Sequence, residues 1–306
     1  MGQTVWSDYP AICLVNRLKH MEIRSRPYQS SDDLYAIGKL IRRAYHGMPC
    51  LNAWSFCRFD IWAQRRIVDA ETFLDRNWQQ QFRLWIDDSG IPIGTAFAFD
   101  NHHWRKNPDA HAIILDPEYM QLAEAMLDWM EMCALPEVEV FESNPLLNRL
   151  LQLRGYTRSK DAMIVREKSL ANKSFEAVNL PHGFRIKVLR RKDWISYFVA
   201  VNAVFKMMDT VDAFRSIQQA PSNVPELHFQ VVNDTGEIAA FCSVWWDREN
   251  NLAEFEPVGT VPRFQRLGLA SALLTHASNR MREMGIGCAR RANSYSDNQS
   301  DEHKDS

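Results

Sequence analysis

A chain of 306 residues has room for two domains of ordinary size, because single cores stop growing at about 250–300 residues. Its 46% apolar and 24% charged residues are those of a globular protein, and a formal net charge of −2 gives no electrostatic case for nucleic acid or an anionic membrane. No uninterrupted apolar run approaches the roughly 20 residues of a membrane span, and no signal-peptide layout opens the chain. Cys13, Cys50, Cys57, Cys133, Cys242 and Cys288 form no CxxC pair, so a cytoplasmic protein with reduced thiols and no zinc site is expected.

Residues 1–20 lack the periodicity of the rest of the chain and read as an N-terminal extension. From Met21 the pattern predicts a short alternating strand, Glu22 to Arg26, and a polar turn with Asp32 near a helix N-cap. The helix then carries Leu34, Ile37, Leu40 and Ile41 on its apolar side. "FRLWIDDSGIPIGTAFAFD", residues 82–100, reads as strand, Asp/Gly turn, strand, ending in Asp100. "AHAIILDPEYMQLAEAMLDWM" supplies another strand and an amphipathic helix, and after Asn144 a helix and a last strand complete this half.

Beyond the polar, aperiodic stretch "KSLANKSFEAVNLP" the same order returns. Phe184 to Leu189 predict a strand, Asp193 a cap, and Ile195, Phe198, Val199 and Val204 a helix face; residues 229–247 predict a hairpin ending in Asp247. "LAEFEPVGT" alternates like a strand, and a helix begins near Gly268 with Ala270, Leu273, Leu274, Ala277, Met281 and Met284 on its apolar face. A period of about 150 residues seen twice predicts duplication of a whole domain rather than a solenoid of short repeats. The expected division is an extension at 1–20, a first domain at 21–168, a linker at 169–181 and a second domain at 182–306.

"VPRFQRLGLASALL", residues 261–274, places a glycine loop between that strand and helix. Glycine lets main-chain N–H groups approach a ligand with no Cβ in the way, and the unpaired donors of a helix start converge with the positive end of its dipole. Three or four such bonds, each worth roughly 1.5–3 kcal/mol, are enough to anchor a pyrophosphate. "REMGIG", Arg282 to Gly287, fits the same Gln/Arg-x-x-Gly-x-Gly/Ala pattern but ends a helix instead of starting one, so Gly285 is read as a C-cap.

"EFEPVGTVPRFQRLGLASALL" resembles the acetyl-CoA-binding motif of the GNAT acetyltransferase superfamily, and the twice-repeated order of elements is similar to a tandem GNAT protein. The resemblance implies an α+β fold, two tandem acyl-CoA N-acyltransferase folds, each a mixed, mostly antiparallel sheet flanked by helices. It places a pyrophosphate loop on Gln265, Arg266, Leu267, Gly268, Leu269 and Ala270, and a pantetheine strand on Val258, Gly259 and Thr260 where that strand splays from "IGCARRANSY". Asn298, the counterpart of Asn144, is counted with the cofactor site. The implied activity is acetyl-CoA-dependent N-acetyl transfer to a primary amine, small-molecule or peptide, by direct attack in a ternary complex, with no metal.

An alkyl amine of pKa near 10.4 is protonated at neutral pH, so transfer needs a base. The family's glutamate position matches Glu254, and Glu256, two residues on along the same face, is second choice; a main-chain N–H of Val258 or Thr260 could polarise the thioester carbonyl. The first half departs from the motif: "IILDPEYMQLAEAML" lacks the glycine loop, and Asp116 and Glu118 would repel a diphosphate. The second half ends on polar "QSDEHKDS" with no closing helix or strand, so no residue matches the family's tyrosine acid. An open sheet edge covered by a homodimer or partner is therefore expected. The alternative reading is a non-catalytic CoA-binding or regulatory module, or an impaired fragment of a longer acetyltransferase. His102, His103 and His111 are read as surface or satisfied histidines and Arg190, Arg191 and Lys192 as solvated; Trp245 and Trp246 end a strand on opposite faces, so at least one could line a substrate pocket, core packing being the more usual fate.

Overall fold

Two mixed sheets flanked by helices make up the fold, and the computed structural model describes residues 23–49, 51–69, 78–99, 110–135, 137–159, 161–171, 177–206 and 211–296. In chain order the elements are β1 (Arg24–Pro27), α1 (Ser31–Gly47), α2 (Phe56–Asp69), β2 (Phe82–Ile86), β3 (Pro92–Phe99), β4 (Ala110–Leu115) and α3 (Ala123–Met132). Then come β5 (Glu137–Glu139), α4 (Pro145–Leu153), β6 (Asp161–Ser169), β7 (Phe184–Val188), α5 (Trp194–Phe205) and α6 (Val211–Ile217). The last are β8 (Asn223–Asn233), β9 (Ile238–Asp247), β10 (Leu252–Thr260), α7 (Leu269–Glu283) and β11 (Cys288–Ser296).

The first unit holds the sheet β1-β2-β3-β4-β5, antiparallel except for the β4–β5 pair. Helix α1 buries Leu34, Ile37, Leu40 and Ile41, the face its spacing predicts, but its cap is Ser30, whose hydroxyl accepts from the Asp32 N–H at 3.3 Å. The shift by two residues has a physical cause. Asp33 turns inward to take the guanidinium of Arg26 at 2.9 Å and the N–H of Gln29 at 2.7 Å, leaving the cap to the serine.

The second unit holds the sheet β6-β11-β10-β9-β8-β7, antiparallel except for the β10–β11 pair. Alternation along β9 and β10 sorts side chains onto two faces. Cys242, Val244, Ala253 and Phe255 meet Leu269, Leu273, Ala277 and Met281 of α7 in one core. Phe241 meets Tyr197, Ala200 and Val201 of α5 in a second core. Each large side chain fully buried there contributes about 1.5–3 kcal/mol, which is what holds both layers on the sheet. Helix α7 buries Leu269 and Ala272 where the sequence pattern favoured Ala270 and Leu274, which are only half-buried, a rotation of its face by one residue.

These units are not consecutive segments. Helix α2 and all of strand β6 but its last residue, inside the 21–168 stretch, belong to the second unit, and the 169–181 stretch contributes Leu170 and Leu180 to the α7-side core. β6 pairs antiparallel with β11 from Ser169↔Cys288 to Asp161↔Ser296. The β11 edge expected to lie open is therefore occupied by the closing strand of the first half. The physical reason is that an unpaired edge wants nine residues of ladder partners, and a strand more than a hundred residues upstream supplies them. On β11, next to the edge strand, Arg290 is buried and donates to Glu167 of β6, its partner in the ladder, at 2.8 Å.

Candidate active site

The site starts from an irregularity in β10. Its ladder with β9 slips between Phe255 and Val258, a bulge that accommodates the cis Glu256–Pro257 peptide. The parallel ladder with β11 ends at Phe255↔Arg291, although β10 runs on to Thr260 and β11 to Ser296. The two strands therefore part, leaving the β11-facing side of Glu256, Pro257, Val258, Gly259 and Thr260 without a strand partner among the described residues. This is the predicted splay.

Gly259 has a second reason to be glycine. It sits opposite Phe241 in register, and a Cβ there would lie 2.5 Å from Cζ of that ring. Phe241 is fully buried against Tyr197 and Phe205 and has nowhere to move. Gly259→Ala is expected to lower stability by about 1–3 kcal/mol, read as a drop in the denaturant midpoint at unchanged slope.

Past β10 a short 3-10 turn, Pro262–Phe264, leads into the glycine loop. Gln265, Arg266, Leu267 and Gly268 are all exposed, Leu269 turns under the helix, and Ala270 is half-buried. Arg266 and Gly268 both adopt left-handed backbone, at φ 65° and 74°. The first bond of α7 runs from the Ala272 N–H to the Gly268 carbonyl at 3.0 Å, and no side chain caps the helix. The N–H groups of Leu269, Ala270 and Ser271 thus precede the ladder with no acceptor among the described residues. Its chain neighbours aside, nothing lies within 4 Å of where a Gly268 Cβ would project. The competing glycine pattern behaves as expected: Gly285, at φ 76°, follows the end of α7, with its N–H on Arg282 and that of Ile286 on Met281.

Glu254 and Glu256 lie on β10 beside α2 and α5. Glu254 is only 5% exposed, faces Trp245 across the ladder, and accepts a hydrogen bond from the Ser55 hydroxyl. Glu256 keeps exposed surface, yet protein surrounds its carboxyl closely enough that desolvation, with the nearby Glu254 charge second, pushes it up to about 7. Arg58, Arg65 and Arg291 oppose that rise. The indole N–H of Trp245 donates to the Glu256 carbonyl and fixes the backbone at the bulge. Glu254 is thus buried and engaged, while Glu256 keeps exposed surface and has a carboxyl raised by its surroundings. Asn298 lies outside the described residues.

Sequence reasoning missed Ser55, Arg58 and Arg65. A serine just before an apolar-periodic run is a legible helix cap, but its carboxylate partner stands 199 residues away. The matching turn of the first unit is filled by its own chain. Asp116 accepts from the Glu118 N–H at 3.0 Å and from Arg43 at 2.7 Å, so a carboxylate already holds the position a phosphate would take.

Other candidates resolve plainly. Trp245 is buried, and Trp246 packs on the α7-side core. His111 is neither exposed nor satisfied: it is buried beside Trp129 with both ring nitrogens unpartnered among the described residues, and burial lowers it to about 4. His102 and His103 lie outside the described residues. Burial pushes the Cys57 thiol well up and that of Cys242 to about 12, so both are inert; the four described cysteines are free. Among the described residues no group of His, Cys, Asp and Glu is arranged to hold a metal, and no helix is long and apolar enough to cross a membrane.

Residues 193–303 match the model of the acetyltransferase (GNAT) family. Among solved structures, the chain is similar to a GCN5-related N-acetyltransferase from Sphaerobacter thermophilus, at 18% identity over 90% of this chain and 88% of that one, with a TM-score of 0.59. It is also similar to a tandem GNAT protein from the clavulanic acid biosynthesis pathway, at 12% identity over 89% and 90% of the two chains, with a TM-score of 0.51. No curated protein matches. At these identities the structural likeness speaks for the fold alone, and residues 193–303 are the part of the chain that is similar to the GNAT family.

Proposed function

We propose that the second unit is an acetyl-CoA-dependent N-acetyltransferase that acetylates a primary amine by direct attack in a ternary complex. One observation carries the reading: β10 leaves β11 at Phe255, and the chain then runs into a helix start that no side chain caps, at an exposed glycine in left-handed backbone. Both parts fit the cofactor. The loop's main-chain N–H groups suit a diphosphate, and the unpaired side of Val258, Gly259 and Thr260 suits an amide-bearing arm. Acetyl-CoA, when bound, supplies a thioester whose acyl carbon accepts an amine nitrogen as the carbon–sulfur bond breaks.

The remaining work falls to the chain. A protonated amine must lose a proton before it can attack, and the Glu256 carboxylate, titrating near neutrality, takes it. Tyr197 is buried, bonded to Ser243 at 2.7 Å and held protonated by burial, so it shapes this face without exchanging protons. The acceptor is a small-molecule or peptide amine, and the reaction belongs to the cytoplasm.

Titration calorimetry with acetyl-CoA, followed by thiol release across a panel of primary amines, tests the reading. Binding with a dissociation constant in the range of about 1 μM to 1 mM and amine-dependent thiol release are expected. Binding without release would favour a non-catalytic CoA-binding module, and absence of binding would sink both.

A further inference from the structure

We propose that Ser55, from the first half of the sequence, is a positioning residue for the carboxylate pair of the second unit. It holds Glu254 as the charged member so that Glu256 is the one that exchanges protons. This rests on the transferase reading above, and it concerns how that site is set.

The hydroxyl of Ser55 has one proton to give and lone pairs to receive. The Arg58 N–H, in the first turn of α2, donates to its Oγ at 3.1 Å, and the Phe59 N–H donates to its carbonyl at 3.1 Å. Ser55 is thus the N-cap of α2, and capping settles where its proton goes: away from the helix, onto Oε2 of Glu254. A neutral donor aimed at a buried carboxylate favours its charged form, and the positive end of the α2 dipole acts in the same sense. Helix α2 is itself tied down, because the Ser222 N–H donates to Asp60 at 2.8 Å.

The surroundings contain the opposing charges too. Around Glu256 stand Glu254 on its own strand, Arg58 and Arg65 on α2, Arg291 on β11 and the Tyr197 phenol on α5. Around Glu254 stand the Cys57 thiol and, close to that thiol, Asp60 and Asp247. Desolvation and the Glu254 charge both push the Glu256 carboxyl up, and the three arginines pull it down. Because the Glu254 charge raises Glu256, deleting a donor that favours this charge relieves part of that push.

The test uses the full chain labelled with 13C at glutamate carboxyls, following the Glu256 signal, assigned by its loss in Glu256→Gln, against pH without acetyl-CoA. Acetyl transfer to one amine is measured over the same range. Ser55→Gly deletes the hydroxyl while costing a cap only a few tenths of a kcal/mol, so the fold survives. Its Glu256 midpoint is expected to fall from about 7 by on the order of one unit, and the acid limb of the rate profile to move with it. Ser55→Thr restores donor and cap and should reproduce the parent in both. A midpoint and limb unchanged in Ser55→Gly overturn the proposal. If the carbon signal moves but Glu256→Gln still turns over at the parent rate, the positioning role stands and the base assignment is what has failed.

Discussion

Gly268→Glu is expected to weaken acetyl-CoA binding at least about 100-fold while the protein stays folded, as judged by calorimetry and circular dichroism. Two effects add. A residue with a Cβ at φ 74° carries strain of roughly 1–2 kcal/mol. The new carboxylate would also stand at the start of α7, where the proposed diphosphate site lies, with room to project. A like charge about 4 Å from a phosphate costs about 4 kcal/mol at an effective dielectric of 20, more than strain alone. Gly268→Ala separates the two, since it keeps the strain and adds no charge, and it should bind only about 10-fold more weakly. If the glutamate variant binds as tightly as the parent, the diphosphate does not sit at this helix start.

Glu256→Gln is expected to lower turnover by about 100-fold or more, the usual contribution of a positioned base, with acetyl-CoA affinity unchanged. The parent rate should fall below a midpoint of about 7 with the slope of one proton, and this limb should vanish in the variant. Glu254→Gln should keep the limb but move it down. Because desolvation is the larger cause, it should remain above the ordinary glutamate value of about 4.3. Stability gives an independent check of sign. The folded Glu256 binds its proton more tightly than the unfolded chain does, so folding loses stability as pH rises from about 4.5 to about 7. At pH 8, Glu256→Gln should therefore melt at or above the parent. A variant melting well below it would mean that lost turnover reports unfolding rather than chemistry.

Much of the second unit was legible because its signals are local. Alternation in "LAEFEPVGT", a glycine with no room for strain-free replacement and an apolar stripe after it are properties of one short stretch, and they became β10, the loop and α7. The same locality separated the true helix start from Gly285, which closes a helix. Where capping depended on a neighbour's pairing, the reading slipped by two residues, as at Ser30 and Asp32, because Asp33 was drawn to Arg26.

The sequence by itself determined that a glycine loop joins a strand to an amphipathic helix, since dihedral preference and periodicity act over a few residues. Only the tertiary structure decided which carboxyl is buried against Ser55 and what closes the sheet. Ladder pairing and the field at a carboxyl depend on partners brought together from far along the chain. Ser55 lies 199 residues from Glu254, and β6 reaches β11 across more than a hundred. No spacing rule connects residues at that separation; packing and desolvation do.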